Sequence, residues 1–218
     1  MSAPAAFSAA YSSASLHFDE QRGIVKRRGA EGDRPAALVP VDRAAGAAFT
    51  LAVAVDDFPA GGYPLYVGVG RAMPRDGAVF GLVEGTCGLR QHAWHEESRF
   101  ALSKDFGVRT DAADESLLPS IATGSRVALQ LSPPDRITHC RTLRFFIDGM
   151  ECAAFGDIAD VGVGDEPWVA GLNPSEGSVL RLVAPRGEEV WSEASHAAFM
   201  QRLQDEENRR KSIYGVDS

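Results

Sequence analysis

Cysteine is scarce and scattered in this chain. Its 218 residues include three cysteines, Cys87, Cys140 and Cys152, and no two of them form a C-x-x-C pair. Three separated cysteines are too few for the disulfide framework that stabilises small secreted proteins. We therefore expect an intracellular protein, with the cytoplasm as its default location.

Long apolar runs are also missing. The longest, residues 51–55, falls far short of the roughly 18 residues that cross a bilayer. The first fifteen residues, MSAPAAFSAAYSSAS, carry no charged side chain, so they lack the basic region of a secretory signal. We predict a flexible leader over residues 1–15 and no membrane association.

Positive charge is in deficit. Lysine and arginine number 22 against 30 aspartates and glutamates, which gives a net charge of −8. Nucleic-acid phosphates attract proteins with a basic surface, so this balance disfavours nucleic acid as a partner. Hydrophobic residues at 44% and charged residues at 24% are near the globular average, which indicates a folded protein of ordinary composition.

Short segments of alternating polarity fill the chain from Leu16 to about residue 184. Apolar side chains alternate along Arg126–Leu131 and along Leu143–Ile147, as expected for half-buried strands. Strands are also predicted at residues 16–18, 24–26, 37–41, 49–55, 66–71, 80–83, 152–155, 168–172 and 178–183. This many strands predicts an all-β fold of two antiparallel sheets.

Turn residues separate these segments. Asp148-Gly149 lies between two apolar runs and is the dipeptide that a two-residue hairpin with positive φ requires. Residues 109–119 and 160–167 are polar and rich in Asp or Gly, so we expect them to be connections across the ends of the sheets.

The pattern changes after residue 184. Ser192 is placed to cap a helix, and the apolar residues of this segment fall at helical spacing: Trp191, Ala194, Ala198, Phe199 and Leu203. Residues 185–218 are therefore predicted to form an amphipathic helix and tail. Its apolar stripe either packs back on the sheets or docks a partner.

Five segments resemble successive motifs of the SPRY domain. The most specific, LRFFIDGMECAAF (143–155), is similar to the family's L-x-F-F-x-N-G-x-x-x-G-x-A-F hairpin, with Asp148 in place of the turn Asn. The resemblance covers residues 14–184, and its other segments are LYVGVG (65–70), VFGLVEG (79–85), TGSRVALQL (123–131) and EPWVAGL (166–172).

The resemblance has departures. Phe80-Gly81 replaces the usual Trp-Gly, Ser125 replaces the Asp after Gly124, and Arg181-Leu182 stands where Asn-Phe is common. Nothing like a RING, B-box or coiled coil precedes the domain, so the chain resembles a stand-alone SPRY protein. The resemblance implies a bent β-sandwich that binds a peptide or protein surface through loops at one rim, without catalysis, cofactor or metal.

The family's first variable loop maps to residues 26–35. It carries four basic and two acidic residues, a local excess of +2 on an acidic protein. Because guanidinium groups bind carboxylates in a bidentate manner, Arg28 and Arg34, with the adjacent Pro35, are candidate contacts for an acidic partner. The alternative is that these charges only keep a surface loop solvated.

Other rim positions of the family map to Arg90 and to Asn173-Pro174-Ser175. Neither position carries the aromatic residue that anchors peptides in some members. Trp94, in a polar segment, is a candidate aromatic contact or a structural residue, whereas Trp168 is expected in the core.

One segment invites an enzymatic or metal-binding alternative. Residues 87–97, CGLRQHAWHEE, contain a thiol, two imidazoles and two carboxylates. However, His92 and His95 are three residues apart and not in an H-E-x-x-H pattern, so a zinc site would need further ligands from elsewhere. No oxyanion hole or orienting group accompanies Cys87 as a nucleophile.

The sequence thus favours a non-enzymatic protein-interaction module that acts as an adaptor. The alternative is an architectural subunit of a large multiprotein assembly, anchored through its C-terminal helix.

Overall fold

The fold was obtained as a computed structural model, which describes residues 7–8, 12–19, 24–27, 36–41, 48–59, 65–71, 86–91, 98–102, 110–112, 121–159, 168–174 and 176–214. Within these residues the elements are almost all strands, followed by one 3-10 helix, Gly187–Glu189, and one α-helix, α1 (Glu193–Tyr214). The strands are β1 (Leu16–Asp19), β2 (Ile24–Arg27), β3 (Ala37–Val41), β4 (Phe49–Asp57), β5 (Leu65–Arg71), β6 (Thr86–Gln91), β7 (Ser98–Leu102), β8 (Thr110–Ala112), β9 (Arg126–Leu131), β10 (Cys140–Ile147), β11 (Met150–Ala159), β12 (Trp168–Asn173) and β13 (Val179–Leu182).

The strands form two antiparallel sheets, as the sequence predicts. The large sheet has the order β1-β2-β13-β4-β9-β10-β11-β8, and the small sheet has the order β3-β12-β5-β6-β7. Several neighbours in each sheet are far apart in sequence, so the chain crosses repeatedly between the sheets.

Alternating apolar residues fill the space between the sheets. Leu51 and Val53 of β4, and Leu129 of β9, face Val67 and Leu172 of the small sheet within one hydrophobic core. All five side chains are buried. Burial of a side chain of this size stabilises a fold by about 1.5–3 kcal/mol, so this core is the main source of stability.

The predicted hairpin is present between β10 and β11. Asp148 and Gly149 have φ values of 51° and 85°. Positive φ at both turn residues matches the right-handed twist of the paired strands. The strands themselves extend beyond the predicted segments, because β10 begins at Cys140 and β11 continues to Ala159.

Three strands were not predicted. β6 and β7 carry charged and polar residues without clear alternation, and β8 lies inside the segment 109–119 that was expected to be a connection only. The prediction of a continuous connection there was wrong, because Thr110–Ala112 pairs with β11 at the edge of the large sheet. The predicted strand 80–83 and the predicted connection 160–167 lie outside the described residues.

The C-terminal helix is present, and Ser192 caps it. The Ser195 N–H donates to Ser192 Oγ over 3.1 Å, and the Ser192 N–H donates to Ser195 Oγ over 3.2 Å. Two members of the predicted apolar stripe, Ala194 and Ala198, are exposed. Among the described side chains, Ser195 in the first turn of the helix accepts a hydrogen bond from Arg144 of β10. The side chains of Phe199 and Leu203, the large apolar members of the stripe, lie outside the description. No described helix is long and apolar enough to cross a membrane.

The N-terminal segment also differs from its prediction. The Ser8 N–H donates to Leu38 O and the Ser13 N–H donates to Ala36 O, each over 2.9 Å. These bonds attach part of the predicted flexible leader to β3, an edge strand of the small sheet. The prediction of a flexible leader was based on composition. Composition does not reveal hydrogen bonds to a strand that is distant in the sequence.

Candidate partner-binding rim

One end of the sandwich gathers the connections that the sequence selected. The registers place five strand ends there, those of β2, β4, β6, β10 and β12. The antiparallel neighbours of these strands begin at the same end. We call this end the rim. Its connections are residues 28–35, 58–64, 92–97, 113–125, 148–149 and 174–178.

The rim connections of the two sheets meet. A Cβ built on Gly177 would lie 3.0 Å from Pro59 Cγ, so the connection after β12 touches the connection after β4. The Phe58 N–H donates to Thr123 Oγ1 over 2.9 Å, which links the latter connection to the turn before β9. These two contacts link the described parts of three rim connections: those that follow β12 and β4 and the one that precedes β9.

The topology brings two predicted contact positions close together. Asn173 pairs with Tyr66, and Tyr66 pairs with Arg90, so the three residues form one row across β12, β5 and β6. Adjacent strands are about 4.8 Å apart, so the backbones of Asn173 and Arg90 are separated by about 10 Å.

The remaining predicted contacts follow or precede described strand ends. Arg28, Arg34, Pro35, Trp94 and Ser175 lie outside the described residues. The connections that contain them join strands at the rim: β2 to β3, β6 to β7, and β12 to β13. The first of these connections is shorter than predicted, because β2 extends to Arg27.

Burial separates two of the predicted contacts from the surface. Asn173 is only 3% exposed, and Pro174 is also buried. These residues therefore do not present a face to a partner in this conformation. The exposed neighbours in the same connection are Glu176 and Gly177.

A second organised region lies on the outer face of the large sheet, where the chain passes from β13 to α1. Glu189 is completely buried there and forms an ion pair with Arg126 of β9 over 2.6 Å. Its backbone carbonyl accepts hydrogen bonds from Gln130 Nε2 and from Thr50 Oγ1, over 2.7 Å and 3.2 Å. This region was not predicted, because nothing in the sequence marks Glu189 as different from the charged residues around it.

The start of α1 is attached to the same face through Arg144 of β10. The Arg144 guanidinium donates to Glu151, to Gln130 Oε1 over 3.1 Å and to Ser195 Oγ over 3.3 Å. It also lies over the Phe146 ring, 5.2 Å from the centroid. This network and the Glu189 ion pair fix residues 184–195, which we call the C-terminal strap.

The titration of Glu189 reflects these contacts. Burial raises the pKa of its carboxyl group, but the hydrogen bonds from Arg126 and from the Arg186 backbone outweigh burial and hold the pKa below its ordinary value. A more exposed pair, Asp56 with Arg181, lies elsewhere on the same face, and the hydrogen bond from Arg181 lowers the pKa of Asp56.

Metal-binding chemistry is not organised in the described part of the chain. Within it, no three His, Cys, Asp or Glu side chains come together as a ligand group. His92 and His95 lie outside the described residues, so the metal alternative stays a sequence hypothesis. Burial raises the pKa of the Cys152 thiol to about 11, which opposes formation of a nucleophilic thiolate.

The comparisons with known proteins bear on the fold. No protein-family model matches this sequence, and no curated protein matches it. Among solved structures, the chain is similar to the PSpry domain of TRIM65, with a TM-score of 0.54 and 13% sequence identity over 84% of this chain and 93% of that domain. It is also similar to a human SPRY domain, with a TM-score of 0.50 and 12% identity over 77% of this chain and 94% of that domain.

The two sheets and the Asp148-Gly149 hairpin agree with the motifs on which the sequence resemblance depends. Together with the structural similarities, they establish that this chain has the β-sandwich fold of SPRY domains.

Proposed function

We propose that this protein is a non-catalytic adaptor that binds an acidic peptide segment through the rim. The observation that carries the proposal is topological: all the connections that contain the predicted contact residues leave or enter strands at one end of the sandwich. The solved SPRY domains share this frame, and a rigid frame with variable loops is a common design for recognition.

Charge determines which side of the rim attracts an acidic partner. On the large-sheet side of the rim, the described residues Asp57 and Glu176 are exposed, and their carboxylates repel an acidic partner. The connection 28–35 is itself neutral, because Arg28 and Arg34 are matched by Glu31 and Asp33. The basic excess on the small-sheet side comes from Lys26 and Arg27 at the end of β2 and from Arg90 in β6. We therefore assign the acidic segment to the small-sheet side, with Pro35, Trp94 and Ser175 as neighbouring contacts.

The buried pair Asn173 and Pro174 has a different role in this proposal. Because these residues are inaccessible, they support the rim from below and do not touch the partner. Substitution of either residue is expected to lower the stability of the fold before it alters recognition.

A random peptide library displayed on phage provides a test with a defined probe. The intact chain is expected to enrich peptides with several Asp or Glu residues, and the Arg28→Glu/Arg34→Glu variant is expected to lose them. Arg136→Glu is the matched control, because Arg136 is exposed at the opposite end of the sandwich. Enrichment of the same peptides by the double variant, or of none by the intact chain, would contradict the proposal.

A second candidate function rests on α1. Beyond its attached first turn, the helix exposes its described side chains, including Met200 at 49%. This geometry suits an architectural subunit that joins a large assembly through its helix. Deletion of residues 197–218 would then release the protein from a native complex on a sizing column, whereas the adaptor proposal predicts no change in complex size.

A further inference from the structure

The N-terminal segment holds both ends of the connection 28–35. Leu16 pairs with Arg27, the last residue before this connection. The Ser13 N–H donates to the carbonyl of Ala36, the first described residue after it, over 2.9 Å. Since Ser13 and Leu16 are themselves linked by a 3.3 Å hydrogen bond, one short stretch of chain forms the base of the loop.

Ser12 completes this base with its side chain. Its hydroxyl accepts a hydrogen bond from the Leu38 N–H over 2.9 Å and lies 3.5 Å from the Leu38 carbonyl, to which it donates. Ser12 is 2% exposed, so these bonds are shielded from water. The Ser8 N–H donates to the same carbonyl over 2.9 Å.

These bonds occupy an edge of the small sheet. β3 is the first strand of that sheet, and among the described strands none pairs with its outward-facing side. Further along this strand, Pro40 has no N–H to donate. The segment thus replaces a missing strand next to Leu38, where an edge would otherwise be free to pair with another chain.

An aromatic contact anchors the start of the segment. Phe7 packs against the hydrophobic core, and its ring lies 5.9 Å from the ring of Phe18 in β1. The segment is therefore attached at both ends, to the large sheet through β1 and to the small sheet through β3. We call residues 7–16 the N-terminal clamp.

We propose that the N-terminal clamp fixes Arg27 and Ala36, the described residues on either side of the connection 28–35, and that Ser12 is a positioning residue for partner recognition. The inference rests on the proposed function, because it assigns Arg28 and Arg34 to the recognition surface. A loop with a fixed base loses less conformational entropy on binding, so the clamp raises affinity without touching the partner.

Ser12→Ala tests the clamp in the absence of any ligand. Loss of the hydroxyl is expected to accelerate hydrogen exchange at the Leu38 amide by about tenfold or more. Trypsin cleavage after Arg28 in the intact chain is expected to accelerate by about fivefold. Phe7→Ala, which loosens the other attachment, is expected to act in the same direction.

Two controls separate this local effect from general destabilisation. Ser15→Ala removes an exposed hydroxyl that contacts Ser13 Oγ within the clamp rather than β3. Thr50→Ala removes one hydrogen bond on the outer face of the large sheet. Both variants are expected to leave exchange at Leu38 and cleavage after Arg28 unchanged. If Ser12→Ala and Phe7→Ala behave like these controls, the clamp is refuted.

Binding of the most strongly enriched acidic display peptide tests the link to recognition. Ser12→Ala is expected to weaken this binding about fivefold at a temperature well below unfolding, whereas Thr50→Ala is expected to leave it unchanged. If Ser12→Ala accelerates exchange at Leu38 but binds the peptide as tightly as the intact chain does, the positioning role of Ser12 is overturned while the proposed function stands. Equal affinity of Arg28→Glu/Arg34→Glu and the intact chain would instead overturn the proposed function.

Discussion

At the scale of single residues, burial decides what an ion pair contributes. Glu189 is completely buried and its partner Arg126 is 11% exposed, whereas Asp56 and Arg181 keep about a third or more of their side chains exposed. Removing one partner of a buried pair leaves an uncompensated charge, while an exposed pair contributes little because water screens it. The two pairs thus form a natural comparison within one sheet face.

Glu189→Ala is expected to lower the free energy of unfolding by about 3 kcal/mol, because it leaves the Arg126 guanidinium without its carboxylate. Asp56→Ala is expected to cost less than about 1 kcal/mol. Urea unfolding followed by circular dichroism measures both values. Equal costs for the two variants would contradict the burial argument.

The pH dependence of stability has a definite sign at Glu189. Its folded pKa is below the ordinary glutamate value of about 4.3, so its contribution is fully present above that pH. The contribution is lost as the pH falls through the folded pKa. Between pH 7 and pH 3, the free energy of unfolding is therefore expected to fall less steeply in Glu189→Gln than in the intact chain. Parallel curves for the two proteins would contradict a contribution of Glu189 to the pH dependence.

The cysteines are expected to differ in reactivity. The Cys152 thiol is buried with a pKa of about 11, whereas Cys140 is partly exposed at the start of β10. Since only the thiolate reacts, iodoacetamide at pH 8 is expected to label Cys140 and to spare Cys152 until the chain is unfolded. Peptide mapping by mass spectrometry checks this, and rapid labelling of Cys152 in the folded chain would contradict it.

At the scale of elements, local sequence signals were informative where a local interaction fixes the structure. The Asp148-Gly149 dipeptide predicted its hairpin, because positive φ is a property of the turn residues themselves. Ser192 predicted the start of α1 for the same kind of reason. β8 was missed, because three residues pair with β11 without any pattern of their own.

The cap of α1 gives a prediction at this scale. Ser192→Ala is expected to destabilise the first turn of the helix by about 1 kcal/mol, because it removes the acceptor for the Ser195 N–H. Ser212→Ala is the matched control, since that exposed serine lies inside the helix and Ala is the better helix former. Hydrogen exchange at residues 193–196 measures the difference, and equal protection in both variants would contradict the capping role.

At the scale of the whole molecule, the sheet order could not be predicted from the sequence. β13 lies between β2 and β4, and β12 lies between β3 and β5. These pairings depend on burial of a shared core, which no short window of residues encodes. For the candidate site, the connections that the sequence selected join strands at one end of the sandwich, but the sequence could not reveal that Asn173 is buried or that Ser12 supports β3.

The central claim is that recognition takes place at the rim, and a hydrogen-exchange footprint tests it most directly. The intact chain is compared with and without a saturating amount of the acidic peptide that display selection enriches most strongly. We predict protection in residues 28–35, 92–97 and 174–178, with none in residues 132–139 at the opposite end. Protection at that opposite end or along α1, with an unprotected rim, would contradict the account.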